Sequence, residues 1–124
     1  MNLNQFTQKS VAAIQAAQSL AVEHGNQQIE QAHLLLALLQ DDQGLVPQLL
    51  TAMGTAVSNF TENVQALVER LPKVSGGGRE ADKVYISQQV DQALQQAEQV
   101  RISMQDEYVS VEHLFLGLLD KADQ

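Results

Sequence analysis

An internal repeat constrains the fold of this chain more than any other feature. When the 124-residue sequence is shifted by 80 residues, it aligns with itself without a gap, and the block that begins His33-Leu34 falls on the block that begins His113-Leu114, with the same spacing of later leucines. Glutamines and alanines upstream of the two blocks also align, so both copies have the same helical spacing there. Because a single repeat unit cannot bury its apolar face alone, the pattern predicts two related helical units packed together.

Apolar residues at helical spacing, punctuated by turn residues, predict six helices. Their expected ranges are 4–24, 30–40, 46–53, 60–71, 87–102 and 111–119. Four of these lie in the first copy and only two in the second, so we expect a truncated second repeat with about two helices missing. The predicted fold is all-α, with two tandem repeats of a four-helix unit. The first repeat covers 1–74, a Gly-rich linker covers 75–83, and the first half of the second repeat covers 84–124.

Charge and composition exclude several classes of function. The chain has 15 acidic and 7 basic residues and a formal net charge of −8, so it repels phosphate backbones and anionic lipids, and we expect neither nucleic acid nor membrane as a partner. It has no cysteine, which excludes disulfides and thiol chemistry. A signal-peptide pattern is absent, and no apolar run approaches the roughly 20 residues that span a bilayer. These features predict a cytoplasmic protein.

The usual sequence patterns of catalysis and cofactor binding are missing. Gly76-Gly77-Gly78 is not followed by the Lys-Ser/Thr pair that a phosphate-binding loop requires, and no Ser lies in a G-x-S-x-G turn. His33 and His113 occupy equivalent positions under the repeat, which favours a shared structural role over metal binding. We therefore expect a protein segment that is not an enzyme and holds neither a metal nor a cofactor.

Binding is the remaining class of function. Val84, Tyr85, Val100 and Tyr108 are predicted to lie where a helix face or loop meets solvent, although each could equally belong to the core. Apolar patches bounded by carboxylates suit extended polypeptide segments that are partly hydrophobic and basic.

Three motifs make the chain resemble the N-terminal domains of the Clp family. They are the opening Asn2-Leu3-Asn4-Gln5-Phe6-Thr7, the segment from Ile29 through His33 to Leu39, and its second copy from Val109 to Leu119. Within the family, Arg70-Leu71-Pro72 before a Gly-rich linker is similar to the ClpB branch. In the ClpC branch an acidic residue precedes the His of both copies and the pair binds phosphoarginine. Here Glu112 fits that pattern and Ala32 does not, so two-site phosphoarginine binding is not expected.

The resemblance implies the substrate-recognition domain of a ClpB-type disaggregase, which binds unfolded or aggregated polypeptides. The parent protein would be a homohexameric AAA+ machine that binds ATP in modules outside this segment and cooperates with the DnaK chaperone system. One alternative is an adaptor-docking domain of a ClpC- or ClpA-type protease chaperone. Another is a free-standing Clp-like protein without ATPase modules.

The resemblance also implies positions for a substrate-binding site. Thr7, Asp106 and Glu112 match function-linked positions of ClpB domains, and Val100 and Tyr108 could belong to a neighbouring hydrophobic groove. Structural roles are equally open at this point: Thr7 could be a helix N-cap, and Glu112 a first-turn carboxylate that the helix dipole favours.

Overall fold

The computed structural model describes residues 4–41, 44–73 and 84–122, and within them the chain forms six helices and two short strands. In chain order these elements are α1 (Gln8–Glu23), β1 (Gln28–Ile29), α2 (Gln31–Gln40), α3 (Leu45–Ala52), α4 (Val57–Arg70), β2 (Tyr85–Ile86), α5 (Gln88–Ser103) and α6 (Val111–Asp120). The all-α prediction is confirmed. The predicted linker, 75–83, lies outside the described residues. None of the described helices combines the length and apolarity needed to cross a bilayer.

The first and the fifth helix begin in the same way. The Thr7 and Ser87 side chains accept hydrogen bonds from the backbone N–H groups of Ser10 and Val90, each at 3.1 Å, and each thereby satisfies one of the donors left free in the first turn. The start predicted at residue 4 for α1 is wrong, because residues 4–5 form a turn and Phe6 pairs with Val109 in another part of the chain.

Two short pairings of extended backbone cross between the repeats, and sequence reasoning missed both. β1 pairs in parallel with β2, with Gln28 opposite Tyr85. In the equivalent place of the other repeat, Phe6 pairs in parallel with Val109. In each pairing, the residues that precede the first helix of one repeat therefore pair with the residues that precede the second helix of the other repeat.

The two Leu-rich helices, α2 and α6, lie at the centre of one hydrophobic core. Leu34, Leu36 and Leu114 are among the largest side chains with almost no exposure. α2 packs against α1, α4 and α6, and α6 packs most extensively against α5. Burial of these aliphatic side chains supplies the main stabilisation, roughly 1.5–3 kcal/mol for each side chain that is removed from water.

Candidate functional site

The corner between α5 and α6 contains most of the residues predicted to bind substrate. A turn closes α5: the backbone N–H of Met104 donates to Val100 O at 2.9 Å, and the N–H of Asp106 donates to Arg101 O at 3.1 Å. Between them Gln105 adopts a left-handed conformation with φ 60°. This reversal directs Asp106 toward the start of α6.

His113 anchors the corner from the first turn of α6. Its Nδ1 accepts a hydrogen bond from the backbone N–H of Ser110 at 2.9 Å, and its Nε2 lies 2.9 Å from Asp106 Oδ2. Because the lone pair of Nδ1 is used, the ring proton of the neutral form must be on Nε2, and Nε2–H donates to the carboxylate. The His113 side chain is buried, whereas that of Asp106 is 44% exposed.

Glu112 adds a second carboxylate to this corner. Asp106, Glu112 and His113 offer ligand atoms within 4.8 Å of one another, which is a spacing that a metal ion could use. A metal bound to Nε2 would displace the only ring proton while Nδ1 still accepts the Ser110 hydrogen bond. Otherwise the proton would move to Nδ1, and the Ser110 hydrogen bond would break. The hydrogen-bonding chemistry therefore does not fit a metal site and favours an acidic surface at a helix N-terminus.

Thr7 is connected to the corner through the backbone of Val109. The Thr7 N–H donates to Val109 O at 2.9 Å, and the Val109 N–H donates to Gln5 O. The Ser10 hydroxyl also donates to Val109 O at 2.9 Å. The side chain of Thr7 caps α1, so the structural role considered for it is present, next to the loop that carries Asp106.

Exposed apolar side chains border the carboxylates. Tyr108 and Met104 are each about half exposed, at 49% and 48%, and Ile102 is 55% exposed, whereas Val100 is half-buried. The expectation of an exposed Val84 is wrong, because Val84 is buried in the core just before β2. Tyr85 is exposed. Met104 and Ile102 are not predicted as surface residues from the sequence, since both fit the apolar phase of an ordinary helix end.

Arg101 is a further residue of the corner that was not selected. Its guanidinium Nη1 donates to the carbonyls of Asp106 and Glu107 at 3.2 and 3.4 Å. These two hydrogen bonds, together with the one that Arg101 O accepts from the Asp106 N–H, hold the loop against the end of α5. A clue in the sequence is that the repeat aligns Arg101 with Ala21, which is fully buried, so a charged side chain at this position needs nearby acceptors.

A concave surface lies elsewhere on the domain, between α2, α4 and α6. It is a groove of about 370 Å³ lined mainly by aliphatic and aromatic side chains. Its larger apolar lining residues include Leu35, Phe60, Leu67, Phe115, Leu118 and Leu119. Its few polar groups give little basis for selecting a ligand, so we take the acidic corner as the candidate site.

Comparison with known proteins agrees with the repeated architecture. The family model of the Clp repeat (R) N-terminal domain matches residues 5–124. The chaperone protein ClpB of Bacillus cereus is 37% identical over 121 residues, which are 98% of this chain but 14% of that protein. ClpB 1 of Synechococcus elongatus is 42% identical over 116 residues, which are 94% of this chain and 13% of that protein. The chain belongs to the Clp repeat N-terminal domain family.

Solved structures show the same fold at lower identity. The N-terminal domain of Hsp104 from Candida albicans superposes with a TM-score of 0.84 at 24% identity, and the match covers 95% of this chain and 75% of that one. The N-domain of ClpV from Vibrio cholerae gives a TM-score of 0.81 at 20% identity, covering 98% and 70%. A complex of a ClpV N-domain with a VipB peptide gives 0.80 at 20% identity, covering 99% and 75%.

Proposed function

We propose that this chain is the substrate-recognition domain of a ClpB-type chaperone and that it binds exposed segments of unfolded or aggregated polypeptides. The observation that carries the proposal is the open corner beside α6, where Asp106 and Glu112 lie next to the exposed side chains of Met104 and Tyr108. Unfolded chains expose apolar side chains together with basic ones, and such a surface can contact both.

In this proposal the domain acts by binding alone and carries neither a catalytic site nor a cofactor. ATP would be bound by AAA+ modules elsewhere in the parent protein, which would be a cytoplasmic homohexamer that cooperates with the DnaK system. Six copies of a weak site on one hexamer would hold an aggregate far more tightly than one copy, since linked sites bind at high effective concentration.

A capture experiment distinguishes this function from adaptor docking. The domain is immobilised and exposed to a model protein kept unfolded by reduction and neutral alkylation, and in parallel to the same protein in its folded form and to a folded Clp adaptor. We expect retention of the unfolded form. Binding only of a folded Clp adaptor, with no retention of unfolded chains, would instead support the adaptor-docking alternative.

Removing the two carboxylates tests the proposed site. We expect the double variant Asp106→Asn, Glu112→Gln to bind the unfolded protein about five-fold more weakly, because each lost charge removes a fraction of a kcal/mol to about 1 kcal/mol of attraction to basic segments. Glu62→Gln, a change of charge on the exposed face of α4, is the control and should bind as the unaltered domain does. If the double variant lost thermal stability as strongly as it lost binding, both carboxylates would have a structural role instead.

A further inference from the structure

Gln31, at the start of α2, closes a corner between the two repeats. Its side-chain Nε2 donates to Gln89 O, at the start of α5, at 3.1 Å and to Lys121 O, at the end of α6, at 2.7 Å. Gln31 is only 7% exposed. A single carboxamide therefore bridges two backbone carbonyls at the place where these three helices meet.

The equivalent corner of the fold, between α1, the end of α2 and the start of α6, holds a groove. Under the 80-residue shift, Gln31 corresponds to Val111, and the two residues that accept its hydrogen bonds correspond to Lys9 and Asp41. All three of these equivalent residues line a groove of about 350 Å³, which continues along the start of α3. The valine side chain has no donor for the backbone carbonyls. The groove thus lies where the other corner is occupied by a carboxamide.

The side chains that line the groove are smaller than their equivalents at the closed corner. Ala12 and Ala16 of α1 line it and are exposed, whereas the second repeat has Gln92 and Gln96 at these positions. Together with the valine at the start of α6, three glutamines of the closed corner are replaced by small aliphatic residues. At these positions the opening follows from side-chain size.

The rim of the groove carries one charge of each sign. Lys9 and Asp41 are both exposed, and the rest of the lining is uncharged, with Ala13, Leu38 and Val46 on its apolar wall. An ammonium, a guanidinium or a carboxylate would each meet a like charge at this rim. A neutral group that donates and accepts hydrogen bonds avoids this repulsion, and a carboxamide is such a group.

We infer that this groove is a further binding site of the domain and that it takes a glutamine side chain of a polypeptide whose neighbouring residues are small and aliphatic. The carboxamide of the ligand donates to the carbonyls of Lys9 and Asp41, in the way that Gln31 bonds at the other corner. Asp41 O already accepts the Gly44 N–H at 2.8 Å, and its second lone pair serves the ligand. Because the groove is larger than one carboxamide and its wall is apolar, the aliphatic neighbours fill the remainder.

This inference goes beyond the proposed function and does not depend on it. Asp106 and Glu112 are not among the described residues that line the groove. The ligand it selects is also uncharged, whereas the acidic corner attracts basic segments.

The test uses three pentapeptides, Ala-Ala-X-Ala-Leu, with acetyl and N-methylamide ends and with glutamine, methionine or glutamate at X. Each is titrated into the isotope-labelled domain and followed by amide chemical shifts. We expect the glutamine peptide to bind about ten-fold more tightly than the methionine peptide, because its carboxamide makes two hydrogen bonds that a thioether cannot make. The glutamate peptide should bind no better than the methionine peptide, since a carboxylate cannot donate. The shifts should concentrate on residues 9–16 and 44–48.

Two variants fill the groove from within the protein. Val111→Gln supplies the carboxamide that Gln31 supplies at the other corner, and it should weaken binding of the glutamine peptide about ten-fold without lowering the melting temperature. Ala12→Gln, at an exposed position of α1, introduces the residue of the second repeat and should also weaken binding. Gln15→Ala, exposed on the same helix but outside the lining, is the control and should bind as the unaltered domain does.

Equal affinities of the glutamine and methionine peptides, shifts that lie outside the groove, or unchanged binding in both groove variants would each overturn the inference. Tighter binding of free glutamine than of the glutamine peptide would also overturn it, because the aliphatic neighbours would then contribute nothing. The double variant Asp106→Asn, Glu112→Gln should keep the preference for the glutamine peptide. Loss of that preference would place the peptide at the acidic corner instead, so this variant separates the groove from the proposed function.

Discussion

His33 and His113 perform the same structural task in two electrostatic settings. Each accepts the backbone N–H of its helix N-cap residue through Nδ1 and donates from Nε2 to the side chain seven residues earlier in the chain. The partner of His33 is a buried amide, while that of His113 is a partly exposed carboxylate. The shared hydrogen-bond geometry stabilises the fold. The histidine's partner differs in charge between the two repeats, and this charge is what a binding function can use.

His33 gives the folded protein a dependence on pH. Burial, with the charge of His24 as a smaller cause, lowers the pKa of His33 from 6.5 to about 4. The unfolded chain therefore takes up a proton near pH 6.5 that the folded chain does not, so this contribution to stability is complete above pH 6.5 and is lost as the pH falls toward 4. At pH 5 we expect a loss of about 2 kcal/mol relative to pH 7.5.

Urea unfolding at the two pH values measures this loss, with His33→Gln as the control that cannot titrate. The variant is expected to be less stable at pH 7.5 but to lose about 2 kcal/mol less on acidification. The same pH dependence in both proteins would contradict the prediction.

Gln105 supports a second prediction at the scale of one residue. Its φ of 60° matches the 69° of Gly25, which stands at the equivalent position of the first repeat. A side chain in the left-handed region is disfavoured and glycine is not, so Gln105→Gly should raise the free energy of unfolding by about 1 kcal/mol. Gln99→Gly, in the middle of α5, should lower it by about 1 kcal/mol. Urea unfolding checks both, and destabilisation by both substitutions would contradict the proposed backbone strain.

The paired helices of the two repeats differ in how closely they approach. At Gly117, in α6, an added Cβ would collide with the backbone carbonyl of Ala93 and would lie 3.0 Å from the backbone nitrogen of Ala97, both in α5. The equivalent residue of α2 is Ala37, which is accommodated in the core. The second pair of helices is therefore packed backbone against backbone, and Gly117 makes that approach possible.

Gly117→Ala is expected to destabilise the domain even though the first repeat carries alanine at this position. Because backbone atoms block the added methyl group, the clash can be relieved only if α5 and α6 separate. We therefore expect the free energy of unfolding to fall by about 1–3 kcal/mol. Leu116→Ala, on the exposed side of the same helix, should cost less. Thermal unfolding followed by circular dichroism measures both; a melting temperature for Gly117→Ala at or above that of the unaltered domain would show that α5 and α6 can move apart freely.

At the scale of the whole molecule, the repeat made the helices and the two central Leu-rich segments predictable from the sequence. It could not reveal the exchange of short extended segments, because pairs such as Phe6 with Val109 depend on backbone hydrogen bonds and leave no periodic pattern. Asp106 and Glu112 were selected through family resemblance, and the structure brings them together with His113. Arg101 and Met104 escaped prediction because their roles arise from the turn between them and Asp106, which only the folded backbone defines.

This exchange predicts that the two repeats unfold together. Phe6 is buried in the shared core, and the backbone on both sides of it bonds to Val109. Phe6→Ala should therefore destabilise both halves by about 3–5 kcal/mol.

The imidazole resonances of His33 and His113 report the two halves separately during urea unfolding. We expect their midpoints to coincide in the unaltered domain and to shift together in the variant, while Ile102→Ala, at an exposed site, leaves both nearly unchanged. A His113 transition that moves to lower urea while that of His33 stays in place would show that the first repeat folds without its partner and that the crossed strands are dispensable to it.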